Sequence, residues 1–299
     1  MGCTGCFKTN AGRSSLRQGL LIIEKLFLFG KSCVMANSVL NIIKIGGNII
    51  DDEDLLDSFL EKFSALSGKK ILVHGGGKIA TRLASELGFQ AQMVEGRRVT
   101  DEDMLRVVTM VYAGLTNKTI VAKLQKLKCD AVGLSGADGD VIKAIKRPVK
   151  DVDYGFVGDL LHDSVNTLAI KKFLEAGFVP VFSAITHNGL GQLLNTNADT
   201  IASSLAVSLA SLYETSLVYC FEKNGVLRDV TDENSVIPTI KSEEFEFLKE
   251  SGIVNDGMIP KLQNAFNAIN KGVQEVYIGH ANNLHLFQQG QFGTCLTLK

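Results

Sequence analysis

The stretch ILVHGGGKIA, residues 71–80, places three consecutive glycines between an apolar run and a segment with helical periodicity. A glycine turn between a strand and a helix leaves backbone N–H groups at the helix N-terminus, where a negative charge is stabilised. The preceding apolar run, VLNIIKI at residues 39–45, leads into a second glycine turn at Gly46 and Gly47. Each turn alone is equally well explained as a tight connection. The pair, however, predicts one anionic group held between two neighbouring loops.

Short apolar runs alternate with amphipathic stretches from Val39 onward, a pattern typical of βα units around a mainly parallel sheet. Further strands are predicted at residues 131–134, 179–183, 216–221 and 274–279, and helices at residues 165–176, 198–212, 242–251 and 258–271. The segment 91–100 alternates as a β-hairpin does, and Thr100 with Asp103 predicts the cap of a helix that runs to about Tyr112. Residues 135–160 are predicted to form loops and short β segments. The predicted fold class is therefore α/β.

Composition limits the classes of function. The chain has 299 residues, of which 45% are hydrophobic, enough for one large α/β domain or two lobes. Its net charge of -1 provides no global field that would hold a nucleic acid or a membrane surface. One Cys-x-x-Cys pair lacks the second pair or His cluster of a zinc site, so we predict no metal ligands, and free thiols in a reducing cytoplasm. The cysteines are Cys3, Cys6, Cys33, Cys129, Cys220 and Cys295.

The first 34 residues differ from the rest, and residues 1–38 are predicted to form an N-terminal extension, either a helix or a tail. The apolar run GLLIIEKLFLFG, residues 19–30, is interrupted by charged residues and is too short to span a bilayer, so we expect no signal or membrane segment. The clean strand pattern begins at Met35, which is a candidate natural start. Residues 39–299 form the predicted main domain, and the placement of its motifs suggests two lobes that meet near residue 185.

Basic residues stand close to the glycine turns. Lys44 ends an otherwise apolar strand two residues before Gly46, so its ammonium should emerge at the carboxyl edge of the sheet, where ligands collect. In GRRVT, residues 96–100, Arg97 and Arg98 lie on opposite faces of a strand, so one of them can bind a carboxylate bidentately while the other faces water. The sequence does not say which arginine points inward.

Two later helices open with residues that suit the same site. NTNADTIASSLA, residues 195–206, places Asn195, Asn197 and Asp199 at the start of an apolar helix. In DGMIPK, residues 256–261, the lysine falls in the first turn of another helix. Capping would explain Asn197 or Asp199, and surface exposure would explain the lysine, if each stood alone.

A dinucleotide-binding loop is the main rival interpretation of the glycine run. Residues 75–80 fit the fingerprint G-x-G-x-x-G/A, follow a strand, open a helix, and have Glu95 about 20 residues further on. Against this interpretation, a second glycine turn already follows the preceding strand. Glu95 also falls inside the predicted hairpin and does not end a βαβ strand.

The ordered set of motifs is far more specific than any one of them. The segments are IIKIGG (42–47), VHGGGK (73–78), GRRVT (96–100), NTNAD (195–199), DGMIPK (256–261) and GTCL (293–296). On these segments, residues 39–299 resemble the amino acid kinase family, in particular its members that phosphorylate an N-acylglutamate. The resemblance implies a three-layer αβα sandwich around a mainly parallel sheet, and usually a homodimer across the central sheet. It also implies an N-terminal lobe at about 39–185 that binds the acylated amino acid and a C-terminal lobe at about 186–299 that binds ATP.

The implied reaction is phosphoryl transfer from ATP, whose phosphates would carry the Mg²⁺, to the γ-carboxylate of an N-acylglutamate in arginine biosynthesis. Such a carboxylate has a reference pKa of about 4.3, so it is ionised at pH 7 and needs no general base. The obstacle is repulsion between anions, which positioned cations and N–H donors overcome. His74 and His187 are accordingly expected to be structural or to line the site.

The matching motifs carry the family's roles onto this chain. Lys44 would contact the transferring phosphoryl group, Lys261 would neutralise the charge developing on ADP, and Asp199 would hold both lysines. Arg98 would clamp the α-carboxylate of the substrate, with Asn195 on its other side. The glycine turns would bind the phosphoryl oxygens and the substrate through Gly46, Gly47, Gly75, Gly76 and Gly77. The missing side chain at Gly76 would admit the phosphoryl group, so valine there would block it.

Two segments depart from the family pattern. Where many members have Asp-x-x-Gly, this chain has CFEKNG, residues 220–225, with Glu222 and Lys223. The segment 280–296 lacks the Glu and G-x-G-T of arginine-inhibited members, which argues against feedback by arginine, although residues 1–34 could supply their additional helix. Three alternatives stay open: an N-succinylglutamate kinase with the same motifs, a ligand-sensing member without turnover, and, most distant, a dinucleotide oxidoreductase.

Overall fold

The computed structural model describes residues 1–2, 38–94, 96–229, 231–251, 253–254 and 258–298. The chain divides into two units, Met1–Ser38 and Val39–Lys299. The predictions on the N-terminal apolar run, on Met35, on the first three cysteines and on Glu95 fall outside the described residues. No helix within the described ranges is long and apolar enough to cross a membrane.

Strands and helices alternate along the second unit as the sequence pattern predicts. The strands are Val39–Ile45 (β1), Lys69–His74 (β2), Met93–Val94 (β3), Arg97–Arg98 (β4), Ala131–Leu134 (β5), Ile145–Lys146 (β6), Gly158–Asp159 (β7), Val179–Ser183 (β8), Ile185–His187 (β9), Leu193–Asn195 (β10), Glu214–Phe221 (β11), Thr239–Lys241 (β12), Glu275–His280 (β13) and Thr294–Thr297 (β14). The α-helices are Gly47–Asp51 (α1), Glu53–Ala65 (α2), Gly77–Glu86 (α3), Glu102–Val108 (α4), Asn117–Lys126 (α5), Thr167–Glu175 (α6), Ala198–Leu209 (α7), Ser242–Glu250 (α8) and Ile259–Asn270 (α9). A π-helix spans Thr109–Thr116, and 3-10 helices span Asp138–Asp140 and Ala281–Gln289.

One eight-stranded sheet organises the unit, with the strand order β12-β14-β13-β11-β1-β2-β8-β5. β14 pairs antiparallel with β13 and parallel with β12, so β12 and β14, at one end of the sheet, run antiparallel to the other strands. The pairs from β13 through β5 are parallel. The prediction of a mainly parallel sheet is confirmed.

Helices cover both faces of this sheet. Strand side chains alternate between faces, and in β1 Leu40 and Ile42 join one buried cluster while Ile43 and Ile45 join the other. The first cluster includes buried side chains of α3, α4, α7 and α9, and the second includes those of α1, α2, α5 and the segment Ala281–Gln289. The result is a three-layer sandwich. Lys44 alternates onto the same face as Ile42, the face that carries α7 and α9.

The predicted hairpin forms, but the helix after it differs from the prediction. Met93 lies opposite Arg98 in the antiparallel pair β3–β4. Asp101 caps the following helix by accepting a hydrogen bond from the Met104 N–H at 2.8 Å, whereas Thr100 donates its hydroxyl to the Arg98 carbonyl. The helix also continues beyond Tyr112, through the π-helix and into α5. Because Asp101, one residue later than predicted, caps the helix, the Thr100 side chain stays available for contacts within the site.

Candidate active site

The candidate site lies at the carboxyl edge of the sheet, where β1 is flanked by β2 and β11. The chain passes from β1 to β2 on one side and returns much later to β11 on the other, so the strand order reverses here, and parallel sheets open a ligand crevice at such a point. Ile45 is in register with His74 on one side and with Cys220 on the other. The two glycine turns and the end of β11 therefore come together side by side.

A cavity of about 1200 Å³ opens along this edge. Its wall includes the second glycine turn, the inner end of the β3–β4 hairpin and the first turn of α7. It extends between α7 and α9. The predicted site residues among its lining are Gly75, Gly76, Gly77, Arg98, Asn195 and Asp199.

The two glycine turns differ in how their N–H groups are used. The Gly46 N–H donates to the Cys220 carbonyl at 3.0 Å, which ties the first turn to β11, and Gly47 begins α1. In the second turn Gly76 is the N-cap of α3, and the first bond within that helix runs from the Ala80 N–H to the Gly76 carbonyl at 3.0 Å. The earlier N–H groups of α3 have no acceptor inside the helix. The second turn thus brings a helix N-terminus to the cavity wall.

Gly76 has a reason for lacking a side chain that the sequence argument did not include. Its φ is +148°, a region that favours glycine. A Cβ built there would lie 3.0 Å from Tyr112 Cδ1 and 3.2 Å from Thr116 Oγ1, both on the π-helix. At Gly75 a Cβ would meet nothing within 4 Å. The close approach of the π-helix is therefore enough to explain why residue 76 is a glycine, and the predicted approach of a phosphoryl group stays a prediction.

Lys44 and Asp199 form the ionic centre of the site. Their Nζ and Oδ1 atoms lie 2.8 Å apart, and Lys44 is buried. Asn197 is the N-cap of α7 and accepts from the Thr200 N–H at 3.0 Å, so Asp199 is not needed as the cap. Asp199 instead lies in the first turn of α7, where its carboxylate meets the lysine from β1.

Lys261 reaches the same place by a different contact. It is exposed, in the first turn of α9, and its Nζ lies 4.1 Å from the centroid of the Phe221 ring. Lys44 Nζ lies 5.1 Å from the same centroid. Within the described residues no ion pair joins Asp199 to Lys261. The link between the lysines is thus an aromatic ring that sequence reasoning missed, although it stands in the quoted segment CFEKNG.

The two arginines of the hairpin are distinguished by burial. Arg98 is buried and Arg97 is exposed. Arg98 Nη2 donates to the Gly77 carbonyl at 2.9 Å and to Thr81 Oγ1 at 2.7 Å, which fixes the guanidinium at the start of α3. Burial raises the pKa of the neighbouring Tyr112, an effect that the Arg98 charge partly offsets. Both arginines border the cavity, and Arg98 is the one that is buried and held in place.

Asn195 lies on the same wall as Arg98 and is connected to it. Its Nδ2 donates to Thr100 Oγ1 at 3.0 Å, and the Thr100 hydroxyl in turn donates to the Arg98 carbonyl at 3.2 Å. Thr100 is fully buried. The hydroxyl thus couples the hairpin to β10, and both amide and guanidinium border one cavity.

His74 supports the second glycine turn from beneath. It is fully buried, with Nδ1 2.9 Å from the Gly75 carbonyl and Nε2 3.0 Å from Asn117 Nδ2. Burial lowers its pKa to about 4, so the ring is neutral near pH 7. His187 Nε2 lies 3.0 Å from Asp140 Oδ1. Both rings have contacts that suit a structural role.

The segment that departs from the family pattern borders a second, smaller cavity. Glu222 is exposed, and Lys223 pairs with Glu233 at 3.1 Å. The cavity measures about 90 Å³, and Val226 and Leu227 contribute to its wall. In the described part of the chain no group of three or more His, Cys, Asp or Glu residues could hold a metal ion.

Comparisons with known proteins match this chain to one family. The model of the amino acid kinase family covers residues 40–280. The chain is 55% identical over 246 residues to the acetylglutamate kinase of Phocaeicola vulgatus, covering 82% of this chain and 95% of the relative. It is 54% identical to the acetylglutamate kinase of Cytophaga hutchinsonii, covering 82% of this chain and 92% of the relative. Among solved structures, the crystal structure of smu.665 from Streptococcus mutans UA159 superposes with a TM-score of 0.69 at 28% identity, covering 87% and 99% of the two chains.

Proposed function

This chain belongs to the amino acid kinase family, and from this premise we propose that it transfers the γ-phosphoryl group of ATP to the γ-carboxylate of N-acetylglutamate. The reaction is a step of arginine biosynthesis. The observation that carries the proposal is the 55% identity to a relative named acetylglutamate kinase, over 95% of that relative's length. A helix N-terminus in the cavity wall, and the ion pair of Lys44 with Asp199 of the same wall, support it.

The reaction requires neutralisation of negative charge more than it requires proton transfer. The γ-carboxylate is already ionised at pH 7, so it can attack without a general base. It must approach a triphosphate that is itself anionic, and ATP enters as its Mg²⁺ complex, which offsets part of that charge. The remaining repulsion falls to cations and N–H donors of the protein. A neutral, buried His74 is consistent with a site that needs no catalytic base.

The two lysines neutralise negative charge at different points along the path of the phosphoryl group. Lys44, held by Asp199 at 2.8 Å, contacts the phosphoryl group in flight. Lys261, on a different helix and exposed, neutralises the charge that develops on ADP. Asp199 keeps Lys44 in place. Removing a single electrostatic donor of this kind typically lowers kcat by about 10²–10³.

The hairpin and β10 orient the acceptor. Arg98 binds the α-carboxylate of the substrate through those guanidinium N–H groups that Gly77 and Thr81 leave free. Asn195 binds the substrate from the other side, while its Nδ2 also donates to Thr100 at 3.0 Å. The N–H groups at the start of α3 bind phosphoryl oxygens, as helix N-termini do. The Gly46 N–H would join them only by leaving the Cys220 carbonyl.

We extend the proposal to organisation and compartment. The acceptor lobe comprises about residues 39–185, the ATP lobe comprises about residues 186–299, and two chains pair across the central sheet. The described cysteines Cys129, Cys220 and Cys295 carry free thiols, which suits a reducing cytoplasm. Light scattering on the purified protein and fractionation of the source cells test these two points.

Trapping of the product with hydroxylamine tests the function. The purified protein is incubated with MgATP and either N-acetylglutamate or N-succinylglutamate, and the acyl phosphate is converted to a hydroxamate. We expect hydroxamate with N-acetylglutamate, and its loss in Lys261→Ala. Lys249→Ala is the matched control and should keep full activity, because it removes an exposed lysine of α8 that pairs with Glu246 of the same helix.

Each alternative predicts a different outcome of this experiment. Hydroxamate formed only with N-succinylglutamate would replace the proposed acceptor. Binding of N-acetylglutamate without hydroxamate would favour a ligand-sensing member of the family. Binding of NAD in place of ATP would restore the dinucleotide interpretation of the glycine turn.

A further inference from the structure

The Phe221 ring reaches the lysines because of strand register. Lys44 of β1 is in register with Tyr219 of β11, so these two side chains project from the same face of the sheet. Phe221 follows two residues later and lies on that face as well, at the end of its strand. Its ring stacks on Tyr219, with centroids 6.0 Å apart and an interplanar angle of 11°. The ring is therefore held by the sheet, at the edge where the proposed transfer takes place.

The two ammonium groups depend on this ring to different degrees. Lys44 Nζ lies 5.1 Å from the ring centroid and also has its ion pair with Asp199. Lys261 Nζ lies closer, at 4.1 Å, and in the described part of the chain it forms no ion pair. Both distances fall within the range of about 6 Å for attraction between a cation and the face of an aromatic ring. Phe221 thus contacts both lysines.

We infer that Phe221 is a positioning residue for the proposed phosphoryl transfer, and that its electron-rich ring attracts and holds the ammonium groups of both Lys44 and Lys261. The inference rests on the proposed function. Two like charges repel, so a site that needs both cations must offset that repulsion before substrate binds. The ring does so without adding a hydrogen-bond acceptor, and the lysine N–H groups stay available to phosphoryl oxygens. A second carboxylate at this position would compete with the phosphates for those donors.

A fluorination series at residue 221 tests the electronic part of this inference. Successive fluorine atoms withdraw electron density from the ring and weaken cation–π attraction while the shape changes little. We expect kcat in the hydroxamate assay to fall stepwise from phenylalanine to the fully fluorinated ring. The expected total is about 3- to 30-fold, the range that cation–π energies imply. Phe221→Tyr should keep most of the activity, and Phe221→Leu should match the fluorinated end.

Phe63 supplies the matched control, because Lys70 Nζ lies 5.2 Å from its ring, away from the candidate site. The same fluorination series at Phe63 should change the urea midpoint and leave kcat unchanged. At residue 221 the midpoint should change about as much as in the Phe63 series, but kcat should fall as well, while KM for N-acetylglutamate changes less than twofold. A merely structural Phe221 would behave as Phe63 does, with the midpoint falling along the series and kcat unchanged.

The outcomes separate this inference from the function on which it rests. If the unmodified protein forms hydroxamate but kcat is flat across the fluorinated series, the inference is wrong and the proposed function stands. If only the urea midpoint falls along the series, the ring serves folding and the inference is likewise overturned. If the unmodified protein forms no hydroxamate with any acceptor, the proposed function fails and the inference fails with it.

Discussion

Replacing Asp199 by Asn removes the charge that faces Lys44 and changes the side-chain shape very little. The Nζ and Oδ1 atoms lie 2.8 Å apart, and the exposed fractions of the two side chains are 11% for the lysine and 37% for the aspartate. In Asp199→Asn the charge of Lys44 stays largely buried, and it faces the Phe221 ring and a neutral amide where the carboxylate was. The variant should therefore lose stability and activity together.

The size of the effect follows from the distance and the exposure. Two unit charges at this separation interact by about 1.5 kcal/mol in bulk water and about 6 kcal/mol at an effective dielectric constant of 20. The partial exposure of Asp199 moves the value toward the lower limit. We expect Asp199→Asn to lower the free energy of unfolding by about 2 kcal/mol. We expect kcat to fall by about 100-fold, because Lys44 loses its fixed position.

Urea unfolding and the hydroxamate assay measure these two quantities on the same preparations. Glu102→Gln is the matched control: Glu102 pairs with Arg106 at the same 2.8 Å, but both side chains are more than half exposed, at 72% and 66%. That variant should change stability by less than about 1 kcal/mol and leave kcat intact. Adding Lys44→Met to Asp199→Asn should recover stability, since no buried charge remains, while activity stays lost. Wild-type stability and kcat in Asp199→Asn would refute the reasoning.

Three further changes test the surroundings of the site. Gly76→Ala should lower the free energy of unfolding by about 2–3 kcal/mol, because φ is +148° and the Cβ would lie 3.0 Å from Tyr112. Gly75→Ala, whose Cβ would make no such contact, should leave the free energy of unfolding unchanged. Equal urea midpoints for the two variants would contradict this. The pKa of His74 is about 4 in the folded protein and about 6.5 in the unfolded chain. Below pH 6.5 the unfolded chain therefore binds a proton at this histidine before the native protein does, and stability falls with pH. Wild type should therefore lose about 3 kcal/mol relative to His74→Gln between pH 7 and pH 4 in urea titrations, and parallel pH curves would exclude the buried neutral ring. Lys70→Met should cost about 2–4 kcal/mol of stability with kcat unchanged, since the ammonium donates to carbonyls at the end of α2 at 2.6–2.9 Å; a wild-type midpoint would show that these bonds contribute nothing net.

Local sequence patterns predict much of this fold. The strands at 131–134 and 179–183 are at their predicted bounds, because buried parallel strands are short apolar runs between turn residues. The helix after the hairpin was placed less well. Its continuation through Thr109–Thr116 has a π-helical hydrogen-bond pattern that amphipathic periodicity does not encode. The π-helix is also what crowds Gly76, so the reason for that glycine is tertiary.

The candidate site shows the same division between local motif and tertiary contact. The motifs predict that Lys44, Asp199 and Lys261 belong to one site. In the structure Lys44 pairs with Asp199, and both lysines lie close to the Phe221 ring. The ring between the lysines could not be predicted, because Phe221 reaches Lys44 only through the parallel register of β1 and β11, which are far apart in sequence. In the segment CFEKNG the charged residues are the departures from the family pattern, whereas the aromatic residue contacts the lysines.

The fate of the γ-phosphoryl group tests the central claim most directly. The protein is incubated with [γ-³²P]ATP and N-acetylglutamate, and the label is followed alongside the ADP formed. We expect one label in an acid-labile acyl phosphate for each ADP, and hydroxylamine should release that label as phosphate while forming the γ-hydroxamate. Label that stays in ATP, or that appears only as inorganic phosphate without hydroxamate, would contradict it.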